Sequence, residues 1–392
     1  MTQYTQFACP NTSCSLHSRF DTGNITHRSW TGKNKDIERL RCTACLCEFS
    51  ARRATLLENS KISLKTHEQM MKCMRWGVCD EGIADICDVS IKTVRLNQQK
   101  AASHAVKLHD TRVQEVKEAG VQCDEVHCKI AGDKGFWAGT AIGMESLMII
   151  AVAFGRRNQV MADRLLAEVF LRITVLLSIF TDGWRPYLTA VIKGFGRLYQ
   201  PKRKHPHRRL PQKRIQLPDI FYGQVVKIRD ATLKLLGVEH RALIGKMKEI
   251  VYFINAYGIG NKIHTSHVER WYGSLRTCVA CCRRRSRCLS KLRGRQKQKI
   301  WIYISLYNWV LPHSSLIYEG NKRTPAMAAG MSSRILTYQE YITTPVFDNY
   351  AFREKLAEKM SKMNSQEMLG ASQRVKIKPE KLQVMQSGKV AA

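Results

Sequence analysis

VQCDEVHCKI, at positions 121–130, opens the stretch of the chain that decides its fold. This segment predicts a strand, and FWAGTAIG at 136–143 and SLMIIAVAF at 146–154 predict two more strands joined by tight turns. NQVMADRLLAEVFLRI at 158–173 is typical of a helix, and TVLLSIF at 174–180 predicts a fourth strand that runs into Asp182. Three neighbouring strands, a helical crossover and a further strand predict an α/β domain.

Acidic residues in this stretch indicate a metal site. Asp124 lies within the first strand and Asp182 just after the fourth, and a carboxylate at a strand centre is costly unless it is paired or binds a metal. Glu269, early in a later predicted helix, can supply a third carboxylate, although Ser266-x-x-Glu269 also fits a capping box. Glu125 is left out because neighbouring strand residues face opposite ways. We expect Asp124, Asp182 and Glu269 to hold Mg²⁺ or Mn²⁺, which prefer oxygen ligands.

The composition narrows the class of protein. The 392 residues include 64 Lys+Arg and 32 Asp+Glu, so the formal net charge is +32, which favours a polyanionic partner. The longest apolar stretches are about half the roughly 18 residues that a membrane span needs. We find no secretion signal and no glycine-rich phosphate loop. The sequence therefore predicts a cytoplasmic nucleic-acid-binding protein, with neither a membrane segment nor a nucleotide cofactor.

Residues 1–58 carry two cysteine pairs, Cys9-x4-Cys14 and Cys42-x2-Cys45. Paired spacings of this kind suit four thiolates around one structural Zn²⁺ ion, which replaces the hydrophobic core that so short a segment lacks. We therefore predict a zinc ribbon. Cys47 leaves an alternative open, because it can replace Cys45 as the fourth ligand, and a set of unliganded thiols is the other interpretation.

Residues 60–110 predict a helix-turn-helix. Asp88, Val89 and Ser90 form the turn, and Ser90 is suited to cap the second helix. The polar residues of that second helix are the candidate base and phosphate contacts: Lys92, Thr93, Arg95, Asn97 and Gln98. An ordinary helical hairpin is the alternative.

Two segments without acidic residues are expected to contact DNA phosphates. One is an arm within 185–218, and the other runs from 270 to 318. The candidate contacts in these segments are Lys202, Arg203, Lys204, Arg208, Arg209, Arg270, Arg276, Arg283, Arg284, Arg285 and Arg287. Residues 351–392, rich in Lys, Glu, Ser and Gln, predict a mobile tail.

Four strings give the chain a resemblance to a known family: CDEVHCKI (123–130), FTDGWRPY (180–187), HTSHVERWYGSLRTCVACCRRRSRCLSK (264–291) and KRTPAMAAGM (322–331). They resemble the transposases of the insertion-sequence-one family. These are prokaryotic DDE enzymes with a zinc ribbon, a helix-turn-helix and a ribonuclease-H-like catalytic domain of mixed sheet and flanking helices. The resemblance implies that residues 115–350 form the catalytic domain, with Asp124, Asp182 and Glu269 as its triad.

The same resemblance implies the activity. Two Mg²⁺ ions would serve cleavage at the 3′ ends of the transposon, followed by joining of the 3′-OH to target DNA. The partners would be double-stranded DNA, both ends and target, bound by a nucleoid-associated homo-oligomer. Asp182 and Glu269 are 87 positions apart. This spacing implies a longer member with a basic insertion at about 190–260, and leaves Glu239 or Glu249 as alternative third acids. A non-catalytic zinc-ribbon and helix-turn-helix regulator, or a related DNA nuclease, are the other functional hypotheses.

Overall fold

A seven-stranded mixed sheet forms the centre of the protein in the computed structural model, which describes residues 4–199, 203, 214–217, 219–285, 289–370 and 380–385. The strands are β1 (Ile25–Thr31), β2 (Ile37–Cys42), β3 (Glu48–Ser50), β4 (Val116–Lys117), β5 (Gly120–Ile130), β6 (Asp133–Gly143), β7 (Ile149–Gly155), β8 (Ile173–Val175), β9 (Ser178–Asp182), β10 (Arg197–Tyr199), β11 (Arg214–Gln216), β12 (Phe221–Arg229), β13 (Leu235–Ile244), β14 (His313–Tyr318), β15 (Asn321–Arg323) and β16 (Glu380–Met385). The helices are α1 (Leu64–Arg75), α2 (Asp80–Ile86), α3 (Ile91–Arg112), α4 (Gln159–Arg172), α5 (Arg185–Phe195), α6 (Met247–Ala256), α7 (Ser266–Cys278), α8 (Arg293–Trp309), α9 (Pro325–Ala328), α10 (Tyr338–Thr343) and α11 (Tyr350–Gly370).

The sheet has the order β7-β6-β5-β9-β12-β13-β16. β9 is parallel to both β5 and β12, whereas the β5-β6, β6-β7, β12-β13 and β13-β16 pairs are antiparallel. This confirms the predicted α/β class with a mixed sheet and flanking helices. It also makes neighbours of β5 and β9, the first and fourth predicted strands, with Cys123 paired to Thr181.

The apolar runs of the central strands follow from burial on both faces. On β5, Val121 and Cys123 pack in the cluster formed with α4 and α5, whereas Cys128 and Ile130 pack in the cluster formed with α7 and α8. A strand covered on both faces needs apolar residues at successive positions, so the alternation typical of a half-exposed strand is absent from β5. The polar exceptions on such a strand therefore call for a specific explanation.

The N-terminal segments are attached to this central unit. β1, β2 and β3 form a small antiparallel sheet, and α2 and α3 are joined by a short turn. The hydroxyl of Ser90 accepts a hydrogen bond from the Thr93 N–H, so the predicted cap of α3 is confirmed. The second half of α3 is anchored by the buried Arg172 of α4, which donates to Asp110 at 2.8 Å and to the carbonyl of Val113 at 3.0 Å.

Parts of the predicted insertion at about 190–260 belong to the central unit. α5 continues to Phe195, and β12 and β13 are strands of the central sheet itself. The high positive charge of this region masked its apolar periodicity, because Tyr187, Ala190 and Val191 are buried at helical spacing. The centre of the basic arm lies outside the described residues, apart from Arg203.

Within the predicted mobile tail, the residues up to Gly370 belong to α11. Phe352 and Met363 are buried, and the Lys359 ammonium donates to the Gly194 carbonyl of α5. A few apolar residues spaced along one helix face were enough to dock a segment that is otherwise highly charged. No helix in the described ranges combines the length and the apolar character that crossing a membrane requires.

Candidate functional site

The two aspartates of the sequence pattern meet at one edge of the sheet. Asp124 lies on β5 and Asp182 ends β9, one position beyond the paired residues Cys123 and Thr181. Carboxylate oxygens of Asp124, Asp182 and Glu125 lie within 4.8 Å of one another. The backbone N–H of Trp184 holds Asp182 by donating to its Oδ1 at 3.0 Å. A group of acidic oxygens this close can hold a divalent cation such as Mg²⁺.

Glu269 reaches the same site from α7. It lines a cavity of about 720 Å³ together with Asp124 and Asp182, and its Oε1 accepts a hydrogen bond from the Lys227 ammonium at 3.0 Å. The capping-box interpretation of Glu269 is wrong, because the N-cap of α7 is Thr265 and its side chain makes no capping bond. Glu269 therefore does not occupy the third helical position that a capping box requires.

The alternative third acids have other partners. Glu239 is buried on β13 and accepts from the Arg241 guanidinium at 2.6 Å. Glu249 accepts from the Lys246 backbone N–H at the start of α6. The described lining of the cavity includes neither of them, so of the three candidate third acids Glu269 is the one that lies with the two aspartates at this cavity.

Two buried polar side chains fix α7 against β5. The side-chain Oε1 of Gln122 accepts hydrogen bonds from the backbone N–H groups of His267 (2.9 Å) and Val268 (3.3 Å), in the first turn of α7. One turn later, the Tyr272 hydroxyl donates to the Asp124 carbonyl at 2.6 Å. Glu269 lies between these attachments, so its distance from Asp124 is set by hydrogen bonds that the sequence pattern did not predict.

Arg157 is a further residue of the site that sequence reasoning missed. Its Nε donates to Glu125 Oε1 at 2.5 Å, and its Nη2 lies 3.6 Å from Asp182 Oδ2. The Tyr187 hydroxyl donates to the other Glu125 oxygen at 2.9 Å. One signal was available: Arg157 follows β7, whose direction matches that of β5 and β9, and side chains that follow such strands gather at one sheet edge.

Burial makes the ionised form of the acidic cluster unfavourable. Burial and, after it, the nearby charge of Glu125 raise the pKa of Asp124 to about 7. Burial likewise raises the pKa of Glu125 and of Asp182, in spite of the Arg157 guanidinium. A bound divalent cation would favour the ionised carboxylates. The donor set, which consists of carboxylate oxygens, therefore fits Mg²⁺ or Mn²⁺.

The four predicted zinc ligands form a second cluster. The sulfurs of Cys9, Cys14, Cys42 and Cys45 all lie within 4.8 Å of one another. The Cys9–Cys45 and Cys14–Cys42 sulfur separations are 3.5 and 4.0 Å. These values bracket the separation of about 3.8 Å expected for Zn–S bonds of about 2.3 Å in a tetrahedron. The group can hold a structural zinc ion.

Local hydrogen bonds complete this cluster and decide between Cys45 and Cys47. The Asn24 amide donates to the Cys42 sulfur at 3.0 Å. The backbone N–H of Cys47 lowers the pKa of Cys45 to about 6, which favours the thiolate that a metal needs. The thiol of Cys47 instead faces the Glu48 carbonyl at 3.9 Å and does not belong to the four-sulfur group.

The candidate DNA contacts on α3 separate into two groups. Lys92 and Arg95 are exposed, and Thr93 is half-buried at the capped end of the helix. Asn97 and Gln98 are buried, so their assignment as DNA contacts is wrong. The Asn97 amide pairs with the ring of His67 at 2.7 Å, and the Gln98 amide donates to Asp80 at 2.9 Å. The packing of α3 against α1 and α2 turned these polar groups inward.

The remaining basic candidates lie largely on the surface. Arg270, Arg283, Arg284, Arg285 and Arg203 are exposed, and Arg276 is half-buried above the Tyr272 ring. The predicted contacts that fall outside the described residues are Lys202, Lys204, Arg208, Arg209 and Arg287.

No family model matches the chain, and no curated protein matches it significantly. The chemistry of the two clusters and the order of the strands are therefore the basis for inferring its function.

Proposed function

We propose that this protein is a DNA transposase of the DDE type. It would cut at the 3′ ends of a mobile element and join the freed 3′-OH to target DNA, as a homo-oligomer on paired ends. The observation that carries the proposal is the convergence of Asp124, Asp182 and Glu269, from β5, β9 and α7, on one open cavity. Carboxylate oxygens suit Mg²⁺, and a bound Mg²⁺ would support phosphoryl transfer at this cavity.

The strand order supports the same proposal. β7-β6-β5-β9-β12, with only β6 antiparallel to the rest, is the order that the resemblance to ribonuclease-H-like enzymes leads us to expect. The domain arrangement would then be a zinc ribbon, a helix-turn-helix made by α2 and α3, and a catalytic domain that includes β12 and β13.

The residues of the site have separate tasks in this chemistry. Mg²⁺ held by Asp124, Asp182 and Glu269 would act as a Lewis acid on the phosphodiester and make a bound water more acidic. Lys227 holds Glu269 at the cavity, and Gln122 and Tyr272 fix the helix that carries it. The chain therefore contributes a fixed geometry and charge neutralisation. Since strand transfer exchanges one phosphodiester for another, the reaction needs no nucleotide cofactor.

The basic surfaces suit the DNA backbone. A second cavity, of about 860 Å³, lies between the α2–α3 pair and the α7–α8 segment, and its lining has five basic residues against two acidic ones, Asp80 and Glu81. Its basic residues are Arg95, Arg283, Lys291, Arg295 and Lys299. The buried Asp80 approaches Lys299 (3.1 Å) and Arg95 (3.5 Å), which ties the proposed DNA-reading helix to α8. Phosphate contacts here would position a duplex without reading its sequence.

The experiment that tests the function uses the purified full chain and a DNA fragment carrying its own reading frame with both flanks. We expect Mg²⁺-dependent nicks at two defined positions outside the frame, mapped by sequencing, and none with the Asp182→Asn variant. Equal cleavage by Asp182→Asn would refute the assignment of the metal site. If a pre-cut 3′-OH end is never joined to a target plasmid, the result would favour a nuclease over a transposase. Sequence-specific binding without any cleavage would favour a non-catalytic regulator.

A further inference from the structure

We infer that Arg157 forms a binding subsite for the phosphodiester that is cut and joined. The inference rests on the proposed function, and goes beyond it by assigning the group that contacts the phosphate oxygens. Arg157 lines the same cavity as the three carboxylates. Three kinds of contact set its position: an ion pair with Glu125, cation–π contacts with two tryptophans, and the approach of its Nη2 to Asp182.

A buried acid holds one side of the guanidinium. Glu125 engages the Nε and Nη2 groups of Arg157 and is itself fixed by the Tyr187 hydroxyl. Only 2% of the Glu125 side chain is exposed, against 37% of the Arg157 side chain. The anchor is therefore inside the protein while the cation is accessible from the cavity. Across the described chain no acceptor is bonded to Nη1, and this side of the fork is left for a phosphate oxygen.

Two tryptophans hold the guanidinium group. The guanidinium carbon lies 5.1 Å from the centre of the Trp137 ring and 4.8 Å from the centre of the Trp184 ring. Cation–π contacts of this kind restrict the orientation of an arginine without using its hydrogen-bond donors. Of the two rings, Trp184 also lines the cavity, so the guanidinium is held at the cavity wall.

The charges of the cavity support a phosphate as the ligand. Nη2 of Arg157 lies 3.6 Å from Asp182 Oδ2, so the cation is adjacent to a proposed metal ligand. A phosphodiester that reacts at the carboxylates would therefore lie within reach of the guanidinium. Arginine suits this task because its planar fork matches phosphate oxygens, and a fixed cation stabilises charge that develops in the transition state.

The first test reads binding without any chemistry. The full chain is labelled with fluorotryptophan, and the fluorine resonances of Trp137 and Trp184 are assigned by phenylalanine replacement. The probe is the dinucleotide thymidylyl-thymidine in the presence of Mg²⁺, with its neutral methylphosphonate analogue as the control ligand. We expect the phosphodiester to shift both resonances, the neutral analogue to leave them unchanged, and Arg157→Gln to weaken the response about tenfold or more.

Matched variants separate binding from folding. Arg156→Gln changes the neighbouring exposed arginine and should bind like the wild type. Arg157→Lys retains the charge beside Glu125 but loses the planar fork, so we expect an intermediate affinity. Thermal melting monitors the fold of each variant. If neither tryptophan resonance responds to the phosphodiester, or if Arg157→Gln and Arg157→Lys both respond as the wild type does, the inference is wrong.

The second test uses the DNA whose cleavage positions have been mapped. Arg157→Gln should lower the single-turnover cleavage rate about 100-fold, the usual effect of losing one fixed transition-state donor, while Arg156→Gln should not. An unchanged rate would overturn the assignment. If the wild type cuts no DNA, the proposed transposase function fails, and the fluorine experiment still decides whether Arg157 binds a phosphodiester.

Discussion

Replacing Asp124 with asparagine should stabilise the metal-free protein above neutral pH and remove its response to Mg²⁺. Asp124 is largely buried beside Glu125, and its pKa rises from 3.8 to about 7. Between these two values the folded protein retains a proton that the unfolded chain has lost. The free energy of unfolding therefore falls as the pH rises through this range. Asparagine does not titrate, so the free energy of unfolding of the variant should not show this fall with pH.

The size of the effect follows from the pKa. A difference of about three pKa units corresponds to roughly 4 kcal/mol when the carboxylate is fully ionised. Most of this difference develops between about pH 5 and about pH 8, where we expect Asp124→Asn to gain about 2 to 3 kcal/mol relative to the wild type. The difference between the two proteins should vanish only below about pH 4, where Asp124 is protonated in both the folded and the unfolded wild type.

Thermal melting of both proteins across this pH range, with and without Mg²⁺, measures the effect. A ligand that binds only the folded state raises the melting temperature, so Mg²⁺ should stabilise the wild type and leave Asp124→Asn unchanged. Asp85→Asn, an exposed replacement in α2, is the control and should follow the wild type. A variant that is less stable than the wild type at high pH, or one that Mg²⁺ stabilises equally, would refute the reasoning about the site.

Three further predictions concern other parts of the fold. The purified full chain should contain about one zinc per molecule by elemental mass spectrometry. Cys45→Ser should lose the zinc and Cys47→Ser should keep it, and the opposite result would make Cys47 the fourth ligand. Gln122→Met should lower stability by about 1 to 3 kcal/mol in denaturant melts, because it leaves two N–H groups of α7 unpaired, and should slow cleavage more than Arg156→Gln does; full activity would exclude a positioning role. Arg172→Met should cost about 3 to 5 kcal/mol in denaturant melts, because Asp110 and Glu168 lose their buried cation and keep only the more exposed Arg353 and Arg164. A neutral effect would show that the Arg172 ion pairs do not hold α3.

Local sequence patterns were sufficient to predict the central strands and several residues of the two candidate sites. The apolar runs of β5, β6, β7 and β9 and the cap of α3 could be predicted because they depend on neighbours within a few residues. The four cysteines could be identified from spacing, since each pair forms its own tight turn. The aspartates could be identified because a charge at the centre or end of an apolar strand needs a partner.

The average composition of a segment was a misleading guide to whether it packs on the core, because a few buried apolar residues are enough to dock a helix. α5 lies at the start of the segment interpreted as a basic arm, and α11 has a highly charged sequence, yet Tyr187, Val191, Phe352 and Met363 are buried. Docking of a helix depends on the apolar residues of one face, and an average over the segment hides them. Asn97 and Gln98 illustrate the converse, because residues with polar side chains were assumed to face solvent and instead make buried hydrogen bonds.

The sequence by itself determined the α/β class, the cysteine group and the two aspartates, because each depends on residue type and on short spacing. Tertiary structure alone decided which glutamate joins the aspartates, since Gln122 and Tyr272 fix α7 over β5 across about 150 positions of chain. It alone placed Arg157 between Glu125, two tryptophans and the cavity. Such contacts join segments far apart along the chain, and their distances are set by how the helices pack on the sheet.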